Sequence, residues 1–408
     1  MQRKYVSCIA CCLILGNILS HSSGAIEIKD LPQVKTMHLG GTFQGDYRHI
    51  SEDARADSRF DIRRARLNVS GDFLDDLEYK ISAEFQGNIT RRLLDAYGVY
   101  HIFPELNIQF GQFKVPFSRE WLIDDSVFPF AERSIGFSFQ PGRDIGLTIS
   151  GDILNRLFSY QVGIFNGDGI DGSARGNQKD DPEIACRFVV YPLAITNISG
   201  ASPFFGVSFT ESRIDTTNIQ VQVKSTGMID TQRNLYELKA NTKFGALLDI
   251  DNRKRTCLEG GFIAGPVMQY FEYQRYQYKD LKPVSGEPAN ANFYSWHTSL
   301  IINLNGVPIS QKFSNQNKKS RDIWQLACRK EYFSGDANWI IPAAFNASRE
   351  ADASSIALSW IRSPYYRIMA DYTYTEISDP LRVRINPDGT IDYIHSENSA
   401  IVRFQVNF

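Results

Sequence analysis

The chain has 408 residues with 46 acidic and 44 basic side chains, so its formal charge of −2 offers no basic excess for nucleic acid. Aromatic residues make up 12% of the sequence, including 27 Phe and 19 Tyr, and this enrichment favours strands. Beyond the N-terminal segment no stretch of about 18 consecutive apolar residues occurs, which excludes a helical membrane span.

The N-terminus has the three parts of an export signal. Arg3 and Lys4 give a positive start, an apolar stretch follows, and Ser23-Gly24-Ala25 supplies small residues for cleavage. We therefore predict a signal peptide over residues 1–25 and a single exported domain over residues 26–408.

The rest of the chain consists mainly of runs of about ten residues in which polar and apolar side chains alternate. Gly, Asn, Asp and Pro separate these runs, and long helical periodicity is scarce. Sixteen runs are predicted as strands, an even number as single-chain outer-membrane barrels require. In chain order they cover 36–47, 59–73, 77–87, 92–103, 106–114, 142–152, 156–166, 183–192, 203–213, 233–244, 256–272, 292–304, 322–333, 352–362, 365–377 and 397–408.

The connections between the predicted strands alternate in length. Short turns such as 104–105 alternate with long polar segments such as 115–141 and 167–182, which is typical of short periplasmic turns and long extracellular loops. Residues 305–321 break this rule, because a short turn is due there and a Lys- and Asn-rich stretch occurs instead. If that stretch holds two more strands, the barrel has 18.

Alternation separates a charged face from an apolar face along each strand. Arg64 and Arg66, for example, lie opposite Ala65 and Leu67. Soluble sandwiches also alternate, but many of these strands approach the ~9–11 residues of a membrane crossing, and aromatic residues gather near their ends. We therefore predict an all-β fold, a transmembrane antiparallel barrel with a water-filled lumen, since sixteen strands are too many for side chains to fill.

Several short motifs occur along the chain in a fixed order. They are Phe60-Asp-Ile-Arg-Arg-Ala-Arg-Leu67, Asp95-Ala-Tyr97, Gly111-Gln-Phe-Lys-Val-Pro-Phe-Ser118, Glu132-Arg133, Pro141-Gly-Arg-Asp-Ile-Gly146, Ile164-Phe-Asn-Gly167 and Trp324-Gln-Leu-Ala-Cys-Arg329. In this order they resemble the phosphate-selective porin O and P family. The resemblance is strong over about 37–192, weak over 193–321 and mainly one of pattern beyond.

The resemblance implies a 16-stranded, usually trimeric porin in the outer membrane of a Gram-negative bacterium. It also implies passage of small anions such as phosphate through a lumen lined with Arg and Lys. The final residue, Phe408, resembles the C-terminal signal read by the barrel assembly machinery.

Rings of Arg or Lys favour anions in a channel, and rings of Asp or Glu favour cations. The basic side chains predicted to line the pore are Arg64, Arg66, Lys80, Lys114, Arg187, Lys239, Lys243, Arg329, Arg367 and Arg403. Glu84, Glu259 and Asp371 are also predicted to face inward. A general or cation-leaning porin, or a barrel that serves mainly as a surface adhesin or antigen, therefore stay as alternatives.

The segment 115–141 follows the fifth predicted strand, and in 16-stranded porins the third outer loop often folds into the lumen. The side chains predicted at such a constriction are Arg119, Glu120, Glu132 and Arg133. An ordinary surface loop is the alternative. The six His are scattered and no nucleophile or phosphate-binding motif occurs, so we predict no metal site, no cofactor and no enzyme.

Overall fold

The computed structural model describes the chain from residue 34 onwards, apart from several internal segments. The described ranges are 34–51, 58–87, 92–167, 169–170, 182–196, 200–213, 221–224, 235–238, 247–249, 252–283, 286–310, 322–339, 347–362, 365–385 and 388–408. The predicted signal peptide lies outside them and stays a prediction. Among the described residues, no helix has the length and apolar character needed to cross a bilayer.

Nineteen strands occur in these ranges, and sixteen of them form the barrel wall. The wall strands are β1 (His38–Ile50), β2 (Ser58–Asp72), β3 (Leu77–Glu84), β4 (Leu93–Phe103), β5 (Leu106–Lys114), β6 (Arg143–Ile153), β7 (Phe158–Phe165), β8 (Glu183–Val190), β9 (Ser202–Arg213), β13 (Asn252–Ala264), β14 (Val267–Pro283), β15 (Ala289–Asn303), β16 (Ile323–Ser334), β17 (Glu350–Arg362), β18 (Tyr366–Ile385) and β19 (Ile391–Asn407). Between β9 and β13 lie the short strands β10 (Val221–Val223), β11 (Tyr236–Leu238) and β12 (Leu247–Asp249).

Every wall strand pairs antiparallel with two neighbours. The sheet closes because β1 pairs with both β2 and β19, with Asp46 directly opposite Arg403. On the far side β9 pairs with β13, so β10, β11 and β12 are not inserted between them. Closure leaves no unpaired edge, and a sheet in lipid requires this because no water is available to the backbone there. The predicted barrel of sixteen strands is confirmed.

Two of the predicted strands are nevertheless wrong. One of them is in fact two wall strands and the other contributes none, so the total number of wall strands is still sixteen. The run 256–272 is two strands, β13 and β14, joined by Gly265-Pro266. Gly265 has a φ of 53°, as the first position of a type II′ hairpin requires. The run 233–244 contributes no wall strand in its described part, since β11 pairs with β10.

The alternative of 18 strands is excluded. β15 pairs directly with β16, from Tyr294 opposite Ser334 to Asn303 opposite Gln325, so no further wall strand lies between them. Short connections such as 104–105 and 265–266 join the strands at one end of the barrel, the short-turn end. Longer connections such as 115–142 lie at the opposite, long-loop end, as predicted.

The two faces of the wall differ as the alternation predicts. On β17, Ile356 is 49% exposed and faces outward, whereas its neighbour Ala357 is 1% exposed and faces inward. On β19, Val402 and Phe404 face outward on either side of the buried Arg403. The apolar side of the wall therefore faces lipid, and the charged side chains avoid the cost of entering hydrocarbon.

Lys330 is an outward-facing charge on β16. Its ammonium pairs with Asp352 and donates to the hydroxyl of Ser354 at 3.2 Å. Tyr332, two residues along the same face, stacks on Trp296 with 6.3 Å between ring centroids. Such aromatic girdles mark the membrane interface, where a Lys side chain reaches water.

We predict that Ile356→Arg destabilises the barrel by about 2–4 kcal/mol, because it places a charge in the middle of the lipid-facing band. The measurement is reversible unfolding by denaturant in phospholipid vesicles. Ile391→Arg, at the long-loop end of β19, is the matched control and should cost about 0–1 kcal/mol. Equal effects of the two substitutions would contradict the assignment of the outward face to lipid.

Candidate functional site

The connection between β5 and β6, residues 115–142, folds into the barrel; we call it the constriction loop. It contains a single turn of helix, α1 (Arg119–Leu122), and a 3₁₀ turn at Ile135–Phe139. Ser118 caps α1 by accepting a hydrogen bond from Trp121 N at 3.2 Å. Most of the loop is buried, although loops usually lie at surfaces because their backbone groups need water.

Arg133 holds the two arms of the constriction loop together. Its guanidinium donates to Ile123 O and to Asp125 Oδ1, both at 2.7 Å, and also to the carbonyl of Glu120. The same group lies 4.5 Å from the ring centre of Phe128, within cation–π range. These contacts therefore hold the two arms of the loop together independently of the wall.

Carboxylates of the wall accept hydrogen bonds from backbone N–H groups of the loop. The four contacts are Arg119 N to Glu259 (3.0 Å), Glu120 N to Glu272 (2.6 Å), Ala131 N to Asp371 (2.9 Å) and Ile135 N to Glu331 (2.6 Å). These acids come from four different strands, β13, β14, β18 and β16. A peptide N–H bound by a charged acceptor forms a stronger hydrogen bond than one bound by a neutral group.

Guanidinium groups of the wall donate to backbone carbonyls of the same loop. Arg367 donates to Phe128 O at 2.6 Å, Arg403 to Ala131 O at 2.6 Å, and Arg329 to Glu132 O at 3.2 Å. The peptide groups of the loop are thus bound by charges of both signs. A buried carbonyl or N–H without a partner would cost about 1–3 kcal/mol.

Two acidic side chains of the loop are surrounded by Arg. Glu132 lies 2.6 Å from Arg48, 2.8 Å from Arg63 and 3.4 Å from Arg403. Burial alone would raise the pKa of Glu132, but these three guanidinium groups hold it well below the usual 4.5.

Asp125 forms the second such cluster. Its carboxylate lies 2.5 Å from Arg66, 2.7 Å from Arg133 and 3.1 Å from Arg64. Burial again opposes ionisation, and the surrounding positive charges nevertheless keep the pKa of Asp125 well below 3.8. Both loop acids are therefore ionised at neutral pH and fix the loop against the wall.

Apolar packing completes the attachment of the loop. Phe139 of the 3₁₀ turn stacks on Tyr276 with 4.1 Å between ring centroids, and Phe293 lies 5.6 Å away. Phe130 packs under the guanidinium of Arg329 at 4.5 Å. Small inward side chains on β17 leave room for the loop: Ala351, Ala353, Ser355, Ala357 and Ser359.

Eight of the ten basic residues predicted to line the pore are described, and all eight face the inside of the wall. Lys239 and Lys243 lie outside the described residues. Seven hold the loop or a neighbouring acid: Arg64, Arg66, Lys114, Arg187, Arg329, Arg367 and Arg403. Lys114 donates to Trp121 O at 2.7 Å, and Arg187 pairs with Glu259.

The four residues predicted at the constriction are all buried inside the barrel. Arg133 holds the loop together, and Glu120 and Glu132 attach it to the wall, through the contacts above. Arg119 places its guanidinium 4.5 Å from the ring centre of Phe204 on β9. Their contribution to conduction stays a prediction.

Two basic side chains at Glu132 were missed by the sequence analysis. Arg48 continues the inward alternation of Gln44 and Asp46 to the end of β1, so extending the predicted strand by one residue would have found it. Arg63 is the extra residue at a register shift, where Arg64 pairs with Gln44 and Ile62 with Gly45. This bulge turns Arg63 and Arg64 to the same side, which simple alternation cannot predict.

Three of the predicted bases, Arg66, Lys80 and Arg367, line a cavity of about 420 Å³. The cavity also contacts Gly40 and Asn407, at the beginning of β1 and the end of β19, so it lies between the constriction loop and the short-turn end. Its wall carries four basic side chains and two acidic ones. They are Arg66, Lys80, Arg143 and Arg367, with Asp95 and Asp124.

We predict that Arg403→Met increases single-channel conductance and open-channel noise in a planar bilayer. The substitution removes the donor to Ala131 O and to Asp46, and breaking a buried charge pair costs about 3–5 kcal/mol, so the loop loosens. Lys330→Met, which removes a charge from the outward face, is the control. Unchanged conductance in Arg403→Met would show that the loop does not depend on this anchor.

We also predict that the ion pairs of Asp125 and Glu132 hold the constriction loop from neutral pH down to about pH 4.5. Carboxylates with lowered pKa values stabilise the folded state fully above their unfolded pKa values, 3.8 and 4.5 here, and lose this effect only as the pH falls through the lowered values. Release of these two ion-pair clusters, seen as a conductance change that Asp125→Asn and Glu132→Gln abolish, should therefore occur only in more acidic solution. A transition centred above pH 4.5 would contradict the ion-pair geometry of Asp125 and Glu132.

The family model for phosphate-selective porin O and P matches residues 37–408, whereas a comparison with curated protein sequences gave no match.

The fold is similar to the anion-selective porin from Comamonas acidovorans, with TM-score 0.54, 12% identity and coverage of 91% of this chain and 99% of that one. It is also similar to in-vitro folded OmpT of Vibrio cholerae, with TM-score 0.53, 8% identity and coverage of 91% of this chain and 97% of that one. A third similar structure is the outer membrane channel DcaP of Acinetobacter baumannii, with TM-score 0.53, 12% identity and coverage of 94% of this chain and 100% of that one. At such identities the likeness shows the fold alone. On the family match, the chain belongs to the phosphate-selective porin O and P family and is a channel of the Gram-negative outer membrane.

Proposed function

We propose that this porin is a passive diffusion channel for small hydrophilic solutes that prefers anions, phosphate among them. The main support for the proposal is the cavity between the constriction loop and the short-turn end, whose wall has twice as many basic as acidic side chains. A water-filled passage lined by one sign of charge concentrates ions of the opposite sign.

Lys80 is the basic side chain of this cavity that is most available to a passing ion. Its ammonium is 3.9 Å from Asp95, whereas Arg143 takes the same carboxylate at 2.8 Å. The side chain of Lys80 is 30% exposed, compared with 18% for Arg66. Arg66 is held by Glu84 and Asp125, so Lys80 supplies most of the uncompensated positive charge.

The other inward basic side chains are paired, and this pairing limits how strongly the channel is expected to prefer anions. Arg64, Arg329 and Arg403 are committed to carboxylates or to loop carbonyls. Their charge is therefore largely cancelled before it reaches the passage. We infer a moderate preference for anions rather than strict selectivity for phosphate.

The inward acids support a second candidate, a general or cation-leaning porin. Asp95 and Asp124 both border the cavity, and Asp124 is the more exposed of the two. An ion drawn to these carboxylates would be a cation. The sign of the reversal potential in a salt gradient separates the two candidates.

We further propose a homotrimer and recognition of Phe408 by the barrel assembly machinery. An outward groove across β1, β2 and β19 is lined by apolar side chains, among them Phe60, Ile62 and Phe404, and offers a surface for a second copy. One solved structure similar to this chain is described as a trimer form. Phe408 extends β19 by pairing with Gly41 and keeps its ring half exposed at the short-turn end.

We predict that the wild-type channel passes Cl⁻ more readily than K⁺, and that Lys80→Glu lowers this permeability ratio by about a hundredfold, about tenfold through each ion. A unit charge about 6 Å from an ion in water is worth ~0.7 kcal/mol, roughly a factor of three, and the reversal changes two units. Reversal potentials in a KCl gradient give the ratio, and conductance in potassium phosphate tests phosphate itself. Arg156→Glu, on a short turn paired with Asp152, is the control; a cation-preferring wild type would refute anion selectivity.

A further inference from the structure

Three side chains from distant parts of the sequence meet where α1 contacts the wall. Glu272 on β14 lies directly opposite His297 on β15, and both face inward. The constriction loop places Glu120 of α1 against them. One potential ligand atom from each of the three lies within 4.8 Å of the other two.

The two carboxylates of this cluster have little positive charge to balance them. Glu272 is fully buried and accepts hydrogen bonds from Glu120 N at 2.6 Å and from Gln274 Nε2 at 2.9 Å. Within the part of the chain that is described, Glu272 forms no ion pair, and Glu120 has only Arg329 at 3.4 Å. Buried charges in proteins are normally paired or bound to metal.

His297 supplies the second, independent observation. Its side chain is 2% exposed, and its Nε2 atom is buried without a hydrogen-bond partner among the described residues. The ring is held edge-on against Tyr270 with 5.6 Å between centroids. A neutral imidazole nitrogen that is fixed beside carboxylates and bound to nothing is a suitable metal ligand.

We propose that Glu120, Glu272 and His297 together bind a divalent transition-metal ion of the Zn²⁺ or Mn²⁺ class. One imidazole with two carboxylates suits such ions, whereas Ca²⁺ prefers six to eight oxygen ligands. Ligands at about 2.1 Å in tetrahedral geometry lie ~3.4 Å from one another, so small side-chain shifts close the site. Water completes the coordination.

The consequence is a metal cross-link between the constriction loop and the wall. Glu120 belongs to the loop, whereas Glu272 and His297 belong to strands, so a bound ion joins α1 to β14 and β15. This role does not depend on which ion the channel conducts. The competing arrangement is a proton shared by the two carboxylates, which would relieve the repulsion without a metal.

The test uses the full-length protein purified in detergent. It is stripped with a chelator, loaded with Zn²⁺ or Mn²⁺, freed of excess metal and measured by plasma mass spectrometry. We expect about one ion per chain, and at least about tenfold weaker binding in His297→Gln and Glu272→Gln. His101→Gln is the matched control, because His101 also faces a carboxylate, Glu78 at 3.4 Å, but is exposed.

The fold of each variant is checked by its heat-dependent migration in gel electrophoresis, and the absorption edge of bound Zn²⁺ reports mixed nitrogen and oxygen ligands. Binding that is lost in the two folded variants and kept in the control supports the site. If the stripped wild type takes up no metal, or if folded His297→Gln binds as tightly as the wild type, the site is refuted. If both variants fail to fold, the absorption edge of Zn²⁺ bound to the wild type decides, because a spectrum without a nitrogen ligand refutes the site.

Discussion

The structure depends on how a peptide segment without regular secondary structure can be buried inside a barrel. Strand backbones are satisfied by their neighbours, but the constriction loop has no such partners and is largely shielded from water. Charged side chains of the wall supply the missing hydrogen bonds. Asp371 and Arg403 illustrate this arrangement, because one accepts from the N–H of Ala131 and the other donates to its carbonyl.

This use of charge changes what an inward Arg means in the barrel. A basic side chain on the inner face can attract a permeating ion, or it can bind the loop. A guanidinium that is already bound to the loop or to a carboxylate attracts a permeating ion only weakly. Arg367 shows both, since it donates to Phe128 O and also borders the cavity. On the proposed function, selectivity depends on the few charges that remain accessible, Lys80 foremost.

Much of the fold follows from the sequence, because alternation reports directly which face meets lipid. It determined most of the strands and the inward direction of all eight described bases. It failed at Gly265-Pro266, where an apolar run continued through a two-residue turn, and at Arg63, where a bulge reversed the alternation. In both places the alternation is interrupted, by a turn in the first case and by an extra residue in the second. A strictly periodic pattern predicts neither interruption.

The sequence alone could not predict which groups each inward charged side chain contacts. Glu120, Glu272 and His297 are separated by 152 and 25 residues, and they meet only because the loop folds back onto β14 and β15. Such contacts depend on the path of the loop and on the shear of the barrel. Neither quantity is encoded in local spacing.

Hydrogen–deuterium exchange of the backbone N–H groups of the constriction loop is the most direct measurement of its attachment to the wall. The N–H groups of Glu120, Ala131 and Ile135 are bound by wall carboxylates, so they should be protected to nearly the same degree as N–H groups in the strands. Exchange as fast as in an exposed surface loop would contradict the proposed anchoring.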